Sequence, residues 1–187
     1  MTEQKKGFRF DASMLKLAGI LFAFSAVVAV LLGLVNLVTE EPIAAYQAEK
    51  TAQAMETVLP ADSYEAVSYD GGGLVQEIFR AGDAGWVVRV APSGFGGTID
   101  MVVGVDTDGC VTGVSIVSMS ETSGLGANAS RQSFRDQYVG KSGSVALSKQ
   151  GGEIDALTGA TVTSTAVTNG VNAALNAVSE LRKEAGL

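Results

Sequence analysis

The alternation of apolar and polar positions divides the chain sharply. From Leu17 to Thr39 no residue is charged, and the run LAGILFAFSAVVAVLLGLVNLV reaches about 33 Å as a helix, enough to cross a bilayer core. A second helical pattern opens at Pro42 and carries Ile43, Ala44, Met55, Val58 and Leu59 before Pro60, where a missing N–H and a ring clash stop it. Short runs bounded by glycine then predict strands at residues 65–69, 74–80 and 86–91. The clearest hairpin pairs residues 98–105 with 110–117 across Asp106-Thr107-Asp108-Gly109, in which Asp-Gly supplies a turn with positive φ. A loop over residues 118–126 leads to a helix expected from about Ser130 to Tyr138, and a polar connection follows as far as Ile154. The last helix is expected from about Ser164 to Glu184, with Val167, Val171, Ala174, Leu175, Val178 and Leu181 on one face at the 3.6-residue period. Strands beside helices in this order predict an α+β domain with a mainly antiparallel sheet and flanking helices.

Charge orients this pattern. Lys5, Lys6, Arg9 and Lys16 precede the apolar run against Glu3 and Asp11, and Glu40-Glu41 follow it, so the N-terminus is expected in the cytoplasm. The expected divisions are a cytoplasmic tail (1–16), a transmembrane helix (17–39) and an extracytoplasmic domain (40–187). A net charge of −7 in 187 residues argues against nucleic acid as a partner. Histidine is absent and Cys110 is the lone cysteine, which excludes an internal disulfide, the usual His/Cys zinc sites, cysteine-ligated iron–sulfur clusters and haem with its common axial ligands. No histidine exists to activate a serine, so a Ser-His-Asp system is impossible within the chain. Asp106 and Asp108 lack the further oxygen ligands of a calcium loop and read as turn residues; Trp86 reads as core.

The richest chemistry lies at Asp155-Ala156-Leu157-Thr158-Gly159-Ala160-Thr161-Val162-Thr163-Ser164-Thr165. A Gly-Ala pair leaves the backbone uncrowded, hydroxyls follow, and the opening N–H groups of the next helix lack intrahelical partners. Such a helix mouth suits an anion such as phosphate. It suits an ordinary capped helix start as well, because Ser and Thr are favoured caps.

Leu157-Thr158-Gly159-Ala160-Thr161-Val162-Thr163 resembles the flavinylation motif of the FMN-binding domain in RnfG-type subunits of the Rnf electron transport complex, and in the third subunit of the sodium-pumping NADH:quinone reductases. Two more segments are similar to that family: Glu121-Thr122-Ser123-Gly124-Leu125-Gly126, with Ser123 where proline is common, and Ser93-Gly94-Phe95-Gly96-Gly97. The resemblance implies FMN held through a phosphoester to Thr161, with Thr158, Gly159, Ala160 and Thr163 around the attachment and Glu121, Thr122, Gly124, Leu125 and Gly126 against the flavin. The Ser93–Gly97 segment stands level between a flavin wall and a plain loop. Glu153 and Asp155 are weaker candidates for orienting a metal ion during flavin transfer. The implied function is electron relay in an Rnf-type complex that couples ferredoxin/NAD electron transfer to ion movement. Its implied partners are the other membrane and redox subunits and a flavin transferase, with no substrate turnover by this subunit alone. The alternatives are the corresponding quinone-reductase subunit, whose chains are longer, and an anchored scaffold without redox function.

Overall fold

The computed structural model describes residues 12–184. Lys5, Lys6 and Arg9, on which the expected orientation partly rests, lie outside them. The chain forms two compact units that divide between Tyr46 and Gln47. Helix α1 spans Ala12–Val58. Its apolar part leaves side chains such as Phe22, Leu32 and Val38 exposed, as a helix among lipid tails requires. Contrary to the expected restart at Pro42, the helix passes through that residue. Proline's fixed φ is the helical value, so the ring removes one N–H and crowds one carbonyl without forcing the chain out of the helix. At its other end α1 stops at Val58, just short of Pro60, and Leu59 N–H closes the last turn on Met55 O at 3.0 Å.

The second unit is built on a five-stranded antiparallel meander in the order β1 (Glu65–Val67), β2 (Val75–Ala81), β3 (Gly85–Val90), β4 (Asp100–Asp106) and β5 (Val111–Ser118). Each strand lies within two residues of its expected bounds. The period of two along β3 sends Trp86, Val88 and Val90 to one face and Val87 to the other. The first face packs against helix α3 (Thr161–Glu184) through Val167, Val171, Ala174 and Val178, joined by Met101, Val103 and Val114 from the sheet. The second face packs Val87, Val102 and Val117 against Ala54, Met55 and Val58 at the end of α1. Burial on both faces explains why the central strands are almost continuously apolar despite being antiparallel.

Close approach requires two glycines of the sheet. Gly104 and Gly113 are paired in register beneath Val58, and a Cβ on Gly104 would stand 2.7 Å from Val58 O. There Thr112 Oγ1 donates to Val58 O at 2.6 Å. The β4–β5 turn follows its sequence signal: Asp106 Oδ1 accepts from the N–H groups of Asp108 and Cys110, and Gly109 takes φ +85°.

The helix expected over 130–138 is broken. A 3₁₀ turn at Gly126–Ser130, a single turn α2 (Gln132–Arg135) and another 3₁₀ turn at Asp136–Tyr138 replace it, because Arg131 is extended at φ −67°, ψ 137°. Phe134 and Tyr138 still share a face, with ring centroids 5.7 Å apart in an edge-to-face contact. Beyond them, the connection that reads as polar contributes Val145, Leu147 and Ile154 to the core.

Candidate functional site

Three loops that are far apart in sequence meet at the N-terminus of α3. The first is the turn before the helix. Ala160 N–H donates to Leu157 O at 3.0 Å, Gly159 takes φ +75°, and Ser164 N–H donates to Ala160 O at 3.0 Å. Ser164 Oγ locks this turn twice, accepting from Leu157 N–H at 2.9 Å and donating to Ala160 O at 2.9 Å. The helix therefore begins at Thr161, three residues before its expected start. Ala160, which has no capping side chain, occupies the position ahead of it. The N–H groups of Thr161, Val162 and Thr163 find no acceptor among the described residues.

The hydroxyls in this segment have different fates. Thr163 is 1% exposed and donates to Glu121 Oε2 at 2.7 Å. Ser164 is fully buried in the turn. Thr168 donates to Ser164 O and meets the Tyr138 hydroxyl at 2.9 Å; burial pushes the Tyr138 phenol up to about 12 although that bond lowers it. Thr161 is exposed, and its hydroxyl has no hydrogen-bond partner among the described residues.

The second loop holds Glu121–Gly126, and the third is Ser93–Gly97. Glu121, half-buried, reaches both neighbours: Oε2 takes the Thr163 hydroxyl, and Oε1 accepts Gly96 N–H at 2.9 Å. Together the loops enclose a cavity of about 410 Å³ lined by Phe95, Glu121, Thr122, Leu125, Gly126 and residues 159–163. Its size suits a small-molecule ligand. Phe95, Leu125 and Val162 expose apolar surface there, at 74%, 44% and 54%. No lining residue is cationic, so the free helix N–H groups supply the positive end for an anion.

Eight of the ten residues expected at the site line this cavity. Thr158 and Gly124 do not; Gly124 shapes the second loop instead, with φ +77° and its carbonyl accepting Asn128 Nδ2 at 2.8 Å. Phe95 is on the wall, where sequence left it level with a plain loop; the signal was an aromatic flanked by glycines. Val162 was missed; the signal that could have found it is an apolar residue between two threonines at the helix mouth. Glu153 and Asp155 stand apart from the cavity: Glu153 pairs with Lys141, which lowers its carboxyl, and Asp155 N–H donates to Gln137 Oε1 at 2.7 Å. Trp86 lies in the core beneath the Arg80 guanidinium, 4.4 Å from its ring centre.

The cavity, with its apolar walls and a helix mouth suited to phosphate, lies within residues 94–176, which match the FMN-binding domain family and place the chain in the class of flavin-mononucleotide-binding domains. Residues 1–58 match the RnfG N-terminal region. The chain belongs to the RnfG family, which comprises FMN-binding electron-transfer subunits of Rnf-type complexes and is related to the third subunit of the sodium-pumping reductases. It is 36% identical to the G component of the Na⁺-translocating ferredoxin:NAD⁺ oxidoreductase complex of Acetobacterium woodii, over 97% of this chain and 100% of that one. The G component of the ion-translocating oxidoreductase complex of Methanosarcina acetivorans is 34% identical over 83% of this chain and 89% of its own. That of the proton-translocating ferredoxin:NAD⁺ oxidoreductase complex of Clostridium ljungdahlii is 47% identical over 50% of this chain and 52% of its own. Family membership implies association with the other subunits of such a complex. The protein is a single-pass membrane flavoprotein with its larger domain outside the cytoplasm.

Proposed function

We propose that this subunit carries FMN through a phosphoester to Thr161 Oγ1, and relays electrons in an Rnf-type complex coupling ferredoxin/NAD electron transfer to ion translocation. The observation that carries the attachment is the fate of the hydroxyls. Thr161 is exposed, unbonded and on the cavity wall, whereas Thr163 and Ser164 are buried and committed to partners. Thr158 has an exposed hydroxyl but stands outside the cavity. Thr122 is exposed on the wall as well, yet it lies in a loop and lacks the helix N–H groups that would receive a phosphate.

FMN supplies electron-transfer chemistry, and the chain supplies position and shielding. The N–H groups of Thr161, Val162 and Thr163 would hold the phosphate, aided by the helix dipole. Leu125, Val162 and Phe95 offer apolar surface for the ring system, and the Thr122 hydroxyl offers a hydrogen bond. Gly159 and Gly126 keep the backbone near the ligand free of side chains. Attachment needs a flavin transferase with FAD as donor. Thr161 Oγ1 would supply the hydroxyl, giving up its proton as the phosphoester to the FMN phosphorus replaces the pyrophosphate P–O bond of the donor, with AMP carrying away the bridging oxygen.

The test is peptide mass mapping of the chain coexpressed with a flavin transferase. Wild type should carry the flavin mass on the Thr161 peptide, Thr161→Ser should retain part of it, and Thr161→Ala should carry none. Flavin mass on another residue, or full labelling of Thr161→Ala, refutes the assignment.

A further inference from the structure

We infer that Glu121 is a positioning residue: its carboxylate ties the Ser93–Gly97 loop to the first turn of α3 and so fixes where Phe95 stands relative to Thr161 across the cavity. The consequence for flavin rests on the attachment proposed above; the tie itself does not. Both carboxylate oxygens are engaged inside the protein, Oε1 by Gly96 N–H at 2.9 Å and Oε2 by the Thr163 hydroxyl at 2.7 Å. One side chain thus joins segments 25 residues before it and 42 after it.

The surrounding glycines make room for that carboxylate. A Cβ on Gly94 would stand 2.2 Å from Glu121 Oε1, and one on Gly126 would stand 2.4 Å from Oε2 and 2.7 Å from Thr163 Oγ1. Neither glycine needs positive φ, so the glycine requirement at both positions comes from space and not from backbone conformation. Glu121 also takes the side chain of Thr163 and not a helix N–H, which leaves the opening amides of α3 for an anion. Phe95 is otherwise held loosely: it is largely exposed, and its loop closes on itself through Gly94 N–H to Gly97 O at 2.7 Å. The Ser93–Thr98 bridge and the Ile99 N–H to Pro92 O bond hold the base of that small loop, and the Gly96–Glu121 bond is the side-chain tie that joins its tip to the opposite wall of the cavity.

The experiment compares Glu121→Ala, Glu121→Gln and Gly126→Ala in the full-length chain, purified in detergent with and without coexpressed flavin transferase. Glutamine can keep both contacts, with Oε1 accepting Gly96 N–H and Nε2 donating to Thr163 Oγ1. In flavin-free protein, amide exchange of the peptide carrying Gly96 should speed up roughly tenfold in Glu121→Ala and Gly126→Ala and stay near wild type in Glu121→Gln. In flavin-loaded protein, the visible circular dichroism of the flavin should change in the first two and be rescued in the third. Unchanged exchange in Glu121→Ala and Gly126→Ala overturns the inference, as does Glu121→Gln behaving like alanine. Should Glu121→Ala fail to fold, Gly126→Ala and Glu121→Gln decide alone. A wild-type chain without flavin mass on Thr161 would sink the attachment reading, while the exchange measurements would still test the tie.

Discussion

Thr163→Val separates the hydroxyl that builds the site from the hydroxyl proposed to be modified. Thr and Val are both β-branched and close in helix propensity, so the substitution replaces one hydroxyl by a methyl and little else. The lost bond runs 2.7 Å from a side chain 1% exposed to a carboxylate, the charge-assisted kind, which contributes roughly 1.5–3 kcal/mol. A methyl cannot remain at that distance from a carboxylate oxygen, so the loop must also move away. Against this, the added apolar group recovers less than about 1 kcal/mol. The net expectation is a loss of about 2 kcal/mol, or about 8 °C in Tm for a unit of this size. Trp86 is the lone tryptophan and is 4% exposed, so its emission during denaturant or thermal unfolding reports the domain directly. Covalent flavin should nevertheless be retained. Thr161→Ala should give the reverse: stability within about 0.5 kcal/mol of wild type, because the side chain is exposed and unbonded, and no covalent flavin. A stability loss below about 0.5 kcal/mol in Thr163→Val, or the exchange of these two phenotypes, would refute the reasoning.

Two further outcomes follow from buried contacts. The Tyr138 phenol is held up to about 12 against an unfolded value of 10.0, so the unfolded state ionises first; its contribution to stability is intact below pH 10 and falls by about 2 kcal/mol as pH rises to 12, and the drop between denaturant melts at pH 9 and 11.5 should be smaller in Tyr138→Phe by about that amount. Gly104→Ala places a Cβ 2.4 Å from Thr112 Oγ1 and 2.7 Å from Val58 O, which should force the end of α1 off the sheet and cost about 1–3 kcal/mol by the Trp86 melt; a neutral result would mean the helix end is not seated there.

What could be read from the sequence depended on how local its cause is. The membrane helix follows from the lack of charge between Leu17 and Thr39, and the strands follow from β-branched runs between glycines, both decided within a few residues. Likewise Asp106 and Gly109 make a turn using only their own backbone neighbours. The errors lie where distant contacts decide. Pro42 marks a helix start in isolation, yet its φ also suits a helix already under way. Thr163 and Ser164 look like caps, but their hydroxyls are drawn to Glu121 and Ala160 O, so the helix opens three residues early. Val145, Leu147 and Ile154 sit among serines and glycines, and it is the bridge between Leu147 and Ile154 and the Asn172 amide, bonded to both backbone groups of Val145, that hold them at the core.

The glycines around the cavity show the same division at finer scale. In sequence Gly126 is expected against the flavin, and Gly94 and Gly96 stand level between a flavin wall and a plain loop. Their steric reason is different: Cβ atoms on Gly94 and Gly126 would strike the Glu121 carboxylate, and one on Gly96 would stand 2.2 Å from Ser120 O. These are contacts between segments that sequence spacing cannot pair. The motif at Thr161 was legible because the helix mouth that surrounds it is contiguous in the chain. The wall opposite was legible only as a set of permissive residues, since what they permit is the approach of a side chain and a backbone from elsewhere. A site of this kind therefore has one half specified by local backbone chemistry and one half specified by packing, and substitutions should divide accordingly. Changes at Thr161 should alter chemistry with little effect on folding, whereas changes at Gly126, Glu121 and Thr163 should alter folding and, through it, the shape offered to the ligand.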